Sequence, residues 1–214
     1  MELTYYGHSF FTLKSDEGIT IAMDPFDDSV GYPLPQVKAQ LVLTSHDHFD
    51  HNNSSLIEDK RLVICGPGEF SYGPVRVMGI PAYHDAEQGK LRGKNTIYRI
   101  EVDGVAFCHC GDLGHLLDHQ TRETLGKIDV LLVPVGGIST IDAHEAAILC
   151  HQIKPKLVIP MHYKTPCLTF ELGELEPFLE EMHAPAKNQK HTFFISKYAL
   201  PDNLRIVIPS FMEP

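Results

Sequence analysis

The chain opens on three short runs of aliphatic, aromatic and β-branched residues, 3–6, 10–13 and 19–23, cut apart by Gly7-His8-Ser9 and Asp16-Glu17-Gly18. Runs of this length broken by turn-forming residues predict a meander of strands. A stretch rich in Pro and Gly follows, and then Leu41-Val42-Leu43-Thr44 is apolar with no alternation. That pattern belongs to a strand covered on both faces. It runs directly into Ser45-His46-Asp47-His48, and Asn52-Asn53-Ser54-Ser55 beyond it reads as the start of a helix.

Further strands are expected at 62–65, 75–80, 96–102 and 105–109, separated by Gly66-Pro67-Gly68, Gly93-Lys94-Asn95 and Asp103-Gly104. The Asp-Gly pair predicts that the last two form a hairpin. From Leu125 the pattern alternates: a strand at 130–135, a helix from about 142 to 153, a strand at 157–159, a helix from about 172 to 182, then strands at 193–195 and 205–208. Thr140 or Asp142 can cap the first of these helices, with Glu145 in its first turn. Meanders followed by strand–helix alternation predict an α/β protein of two packed sheets with helices outside, four layers in all.

Composition narrows the class. A chain of 214 residues, 43% hydrophobic, suits a single globular domain spanning 1–214. The formal charge is −10 and no block of Lys or Arg is present, which disfavours nucleic acid as a partner. No apolar run reaches the ~20 residues of a membrane helix, and the N-terminus carries no leader pattern, so a cytoplasmic protein without a membrane partner is expected. The cysteines number 5, an odd count with no Cys-x-x-Cys pair, which fits reduced thiols.

The chemistry lies in the histidines, of which there are 13. In an extended segment, residues two apart point the same way, so His46 and His48 can present imidazoles to one ion while Asp50 and His51 turn toward another. Imidazole suits Zn, Fe, Mn or Ni, with Zn the default, and a carboxylate can bridge ions. In Cys108-His109-Cys110 the two thiols face one way and His109 the other, which indicates a packed interior rather than a third metal site.

Ser45-His46-Asp47-His48-Phe49-Asp50-His51 resembles the H-x-H-x-D-H signature of the metallo-β-lactamase superfamily. The order of later motifs is similar too: Asp24 in Ala-Met-Asp-Pro, His84 in Pro-Ala-Tyr-His-Asp, Asp112 in Cys-Gly-Asp-Leu-Gly and His162 in Ile-Pro-Met-His-Tyr. The resemblance covers nearly the whole chain and implies an αββα sandwich binding two divalent ions. His46, His48 and His84 would hold one ion, Asp50, His51 and His162 the other, and Asp112 would bridge. Asp50 and Asp112 would act in catalysis, and Asp24 would orient a ligand. A water shared by ions ~3.5–4 Å apart then serves as the nucleophile.

The chain has room for neither the extra C-terminal domain of the glyoxalase branch nor the inserted domain of the β-CASP ribonucleases. Hydrolysis of a small-molecule lactone or phosphodiester, with an anionic substrate and a homo-oligomer both admissible, is the expectation. A nuclease acting on nucleic acid, a redox di-iron enzyme and a non-catalytic metal-binding protein are the rivals. His8, His115 and His144 are candidate substrate contacts, and Asp85 either an orienting carboxylate or a solvated one.

Overall fold

The computed structural model describes residues 1–211. Its strands are β1 (Glu2–Gly7), β2 (Phe10–Lys14), β3 (Thr20–Met23), β4 (Val37–Lys38), β5 (Leu41–Thr44), β6 (Ile57–Glu58), β7 (Leu62–Cys65), β8 (Gly68–Tyr72), β9 (Val75–Tyr83), β10 (Lys94–Val102) and β11 (Val105–His109). The remainder alternates: α1 (His119–Leu125), β12 (Val130–Pro134), α2 (Ala143–Ile153), β13 (Leu157–Met161), α3 (Glu176–Met182), β14 (Ala186–Gln189), β15 (Thr192–Phe194) and β16 (Arg205–Pro209). Among the described residues no helix is long and apolar enough to cross a membrane.

Two large sheets carry the fold. One has the order β15-β1-β2-β3-β5-β7 and the other β14-β16-β13-β12-β11-β10-β9-β8. The opening meander is antiparallel, whereas β3, β5 and β7 run parallel. In the second sheet β8 to β11 form antiparallel hairpins, and β11, β12 and β13 are joined in parallel. Parallel neighbours need a crossover, supplied by α1 and α2. The Asp103-Gly104 hairpin forms as expected, with both residues at positive φ.

Alternation sorts the first sheet cleanly. Ile21, Met23, Leu41 and Leu43 join the main core between the sheets, while Ala22 and Val42 point to the other face with Phe10, Phe26, Tyr32 and Ile57. That outer face is covered by the long segment between β3 and β7, with its short 3₁₀ turns at Asp28–Val30 and Ser54–Leu56. The helix expected from Asn52 therefore does not form. Asn53 makes no side-chain cap hydrogen bond, and the chain turns at once into β6. Tyr98 crosses the core: its hydroxyl donates to the carbonyls of Thr44, at 2.8 Å, and Ile64, on β5 and β7.

Other differences have local causes. The helix expected from 172 begins only at Glu176, because Pro177 fits the first turn of a helix and not its interior. The strand near 193 leaves the second half of the chain and pairs with β1. Strands β8 and β14 and helix α1 carry few buried apolar positions, so no periodicity revealed them. Asp142, not Thr140, caps α2 in a reciprocal capping box with Glu145. Asp142→Ala should lower stability by about 1 kcal/mol, read as an earlier urea midpoint with unchanged slope. A midpoint equal to the parent's would show that the cap contributes nothing.

Candidate metal centre

The site is assembled from residues that sit at or just beyond strand ends. His8 follows β1, Asp24 follows β3, His84 follows β9 and His162 follows β13, while His46 comes two residues after β5. His8, Asp24 and His162 all adopt left-handed backbone, at φ 52°, 49° and 53°. Such φ values are uncommon outside glycine and cost energy. Here they swing each side chain off the strand axis into the gap between the sheets.

Three groups of ligating atoms converge: His46, His48 and His84; His8, Asp50, His51 and His162; and His46, His51 and Asp112. The structure thus brings together all seven residues expected from the sequence and adds His8. The reason for the first pair differs from the expectation. Residues 45–48 are bends and 49–51 a turn rather than a strand, yet His46 Nε2 and His48 Nδ1 lie 3.0 Å apart. The Asp112 carboxylate stands in the middle. Its Oδ2 is 3.1 Å from His162 Nε2 and 3.2 Å from His84 Nε2, and its Oδ1 is 3.1 Å from His51 Nε2.

Behind these atoms a polar layer fixes the rings. Asp24 accepts from the Ser45 amide on Oδ1 and from Ser45 Oγ, His51 Nδ1 and His109 Nε2 on Oδ2, all between 2.7 and 2.9 Å. Since Ser45 Oγ donates to Asp24, it accepts from His46 Nδ1 at 2.9 Å. His84 Nδ1 donates to the Ser139 carbonyl at 2.9 Å. His46, His51 and His84 therefore each have one nitrogen engaged and Nε2 turned inward. His8 Nε2 meets Asp50 Oδ2 at 3.0 Å.

Electrostatics show what the cluster lacks. Burial disfavours ionised Asp24, Asp50 and Asp112, yet surrounding histidines hold all three well below the usual carboxylate range. Burial likewise opposes charge on His51, but the carboxylates of Asp112, Asp50 and Asp24 outweigh it and push that imidazole well up. His46 is lowered to about 3, chiefly by burial and by His51. His8 is lowered to about 4 by burial and His162, against the pull of Asp50. Among the described residues, every ion pair of these carboxylates is with a histidine, never with Lys or Arg.

The donor set fits divalent metal ions. Asp50 Oδ1, His51 Nε2 and Asp112 Oδ1 are buried without hydrogen-bond partners. His51 Nε2 and Asp112 Oδ1 approach to 3.1 Å without the alignment of a hydrogen bond. Unpartnered buried acceptors are costly, and cations among the three carboxylates would satisfy them. His46 and His48 also line a cleft of about 1060 Å³, bounded further by Thr44, Pro81, Tyr83, Lys94 and His115.

The chain belongs to the metallo-β-lactamase superfamily. Residues 2–162 match the family model described as a beta-lactamase superfamily domain. A metal-dependent hydrolase of the UPF0173 group from Thermococcus onnurineus is 32% identical over 193 residues, 77% of this chain and 85% of that one. A Thermotoga maritima protein whose crystal structure was proposed to be that of a Zn-dependent hydrolase of the superfamily superposes with a TM-score of 0.82 at 34% identity, covering 99% of both chains. The diiron β-hydroxylase CmlA from Streptomyces venezuelae shares the fold, with a TM-score of 0.61 at 16% identity over 84% of this chain and 49% of its own. Superfamily membership and the metal-dependent hydrolase group together make this chain a metal-dependent hydrolase.

Several side chains depart from expectation. His109 turns away from Cys108 and Cys110, which lie in the core, but its Nε2 reaches Asp24. It supports the site without being a ligand candidate. His144 lies away from the ligand groups and is not among the cleft residues: it sits exposed on α2 and pairs with Glu181 of α3. His115 accepts from the Tyr83 amide and lies on the cleft wall. Asp85 is buried and accepts from the amides of Glu87, Gly89, Leu91 and Arg92, so it shapes its own loop instead of orienting an imidazole. His8 gave one signal only, its Gly7-His8-Ser9 turn after the first strand, and a lone turn histidine is no ligand pattern.

Gly114 holds two of these loops together. Any Cβ there would overlap the backbone of His84 and Asp85, and the Gly114 amide donates to the Tyr83 carbonyl at 2.9 Å. Gly114→Ala should push the loop carrying His84 away from that carrying Asp112. Zinc affinity is expected to fall by about tenfold or more, measured by competition with a chromophoric chelator, with circular dichroism unchanged. Parental affinity would mean that the loops separate without moving His84.

Proposed function

We propose that the chain hydrolyses a small-molecule lactone or phosphodiester with two divalent ions, zinc being the default, bound by seven side chains. His46, His48 and His84 take one ion, Asp50, His51 and His162 the other, and Asp112 lies between. The observation that carries this reading is the central Asp112 carboxylate, approached by imidazole nitrogens from both groups within 3.1 to 3.2 Å. When bound, such ions supply Lewis acidity, activating water and polarising the bond to be cleaved.

The protein's own groups do the rest. Asp24 and Ser45 keep His46 and His51 in the tautomers that present Nε2. Asp50 Oδ1 and Asp112 Oδ1, free of hydrogen bonds, are the oxygens left to face the ions and so to fix where an attacking water would stand. The cleft beside His46 and His48 admits the substrate. Five free cysteines agree with a cytoplasmic setting.

Elemental analysis of metal-replete protein should find about two transition-metal ions per chain; one or none would sink the dinuclear reading. Asp112→Ala should lose most hydrolytic activity, by about a hundredfold or more, with circular dichroism unchanged. A screen of lactones and phosphodiesters with the bound metal supplies the assay. Activity within a few-fold of the parent would remove Asp112 from the reaction.

A further inference from the structure

We propose that Arg92 and Lys94 form an anion-binding subsite beside the His46, His48 and His84 group, so that the substrate carries a carboxylate or phosphate in addition to the bond being cleaved. This deepens the hydrolase reading and rests on it. Four observations converge. Both residues line the cleft that His46 and His48 open onto, with His115 on the same wall. Both flank Gly93, whose carbonyl accepts from the His84 amide at 3.1 Å, and Lys94 pairs with Tyr83 in the β9–β10 ladder. The cationic pair is therefore anchored within a residue or two of a candidate ligand.

The loop is also preorganised. The Asp85 carboxylate gathers the amides of Glu87, Gly89, Leu91 and Arg92 at 2.7 to 3.0 Å, and Gly93 donates to the Gly89 carbonyl at 3.0 Å. Finally, neither cation is engaged in an ion pair among the described residues. The two carboxylates of the cleft bond elsewhere, Asp118 to the Thr121 amide as the cap of α1 and Asp47 to the Asn52 side chain. In a chain of net charge −10, two cations without an ion-pair partner among the described residues stand at the mouth of the cleft, where both can give an anion charge-assisted hydrogen bonds.

Equilibrium dialysis of inorganic phosphate against metal-replete protein tests the subsite without any turnover. The parent should bind saturably, and the Arg92→Gln/Lys94→Gln double variant about tenfold or more weakly, with metal content and circular dichroism unchanged. Arg92→Lys should recover part of the affinity. No saturable binding to the parent, or a double-variant affinity within twofold of the parent's, overturns the proposal. Succinate in place of phosphate separates carboxylate from phosphate recognition, and binding of either that is lost in the double variant supports the subsite. The ratio of kcat/KM for mono-4-nitrophenyl succinate to that for 4-nitrophenyl acetate should fall about tenfold in the same variant. If neither ester is hydrolysed, ester hydrolysis fails as a reaction while dialysis still decides the subsite.

Discussion

The buried carboxylate of Asp24 is the interaction on which the rest of the centre depends. It is inaccessible to solvent and meets no Lys or Arg among the described residues, so only hydrogen bonds and imidazoles compensate it. A buried charge is tolerable only when so satisfied. Its partners come from both sheets: Ser45 and His51 follow β5 in the first, and His109 ends β11 in the second. Asp24 thus locks the sheets in register at the point where the ligands emerge. The same oxygens set His51 directly and His46 through Ser45 Oγ.

Three of the nine non-glycine residues at positive φ among the described residues stand at the proposed site. His8, Asp24 and His162 occupy left-handed backbone, and each is the first residue after a strand. Hydrogen bonds hold this geometry: the His162 amide donates to the His8 carbonyl at 3.0 Å, Tyr5 Oη donates to the same carbonyl, and the Asp24 amide donates to Leu43. Gly111, also at positive φ, allows the chain carrying Asp112 to press against Ser45 and Asn95. At these positions strained backbone is maintained by surrounding contacts, as a preorganised site requires.

The strands were legible because their apolar runs were short and bounded by turn residues, as at Gly7-His8-Ser9 and Asp103-Gly104. His46, His48, Asp50 and His51 were legible from their spacing after such a run, and His84, Asp112 and His162 from following strands in the order that the resemblance implies. His8 and His109 have no place in that order, and only the return of β13 beside His8 and the contact with Asp24 give them meaning. The Asn52 helix failed for a different reason. Capping residues mark a start only if an apolar face follows, and Ile57 instead packs as a strand on the outer face of the first sheet. Asp85 was unreadable because its partners are backbone amides, which every residue possesses.

The two groups of candidate ligands are unequal in access, and this bears on how a substrate would meet them. His46 and His48 line the cleft, with Arg92 and Lys94 at its edge. His8, His51 and His162 are fully or almost fully buried, and Phe170 stands edge-on to His8, with Phe49 packed against Phe170. The cleft opens onto His46 and His48 of the three-histidine group, while Phe170 covers His8 beside the aspartate-bearing group. The fold alone does not choose the reaction, since a diiron β-hydroxylase shares it. What differs between chains of this fold is the set of side chains at the strand ends, and here Asp112 stands between a three-histidine group that reaches the cleft through His46 and His48 and an enclosed group that holds Asp50.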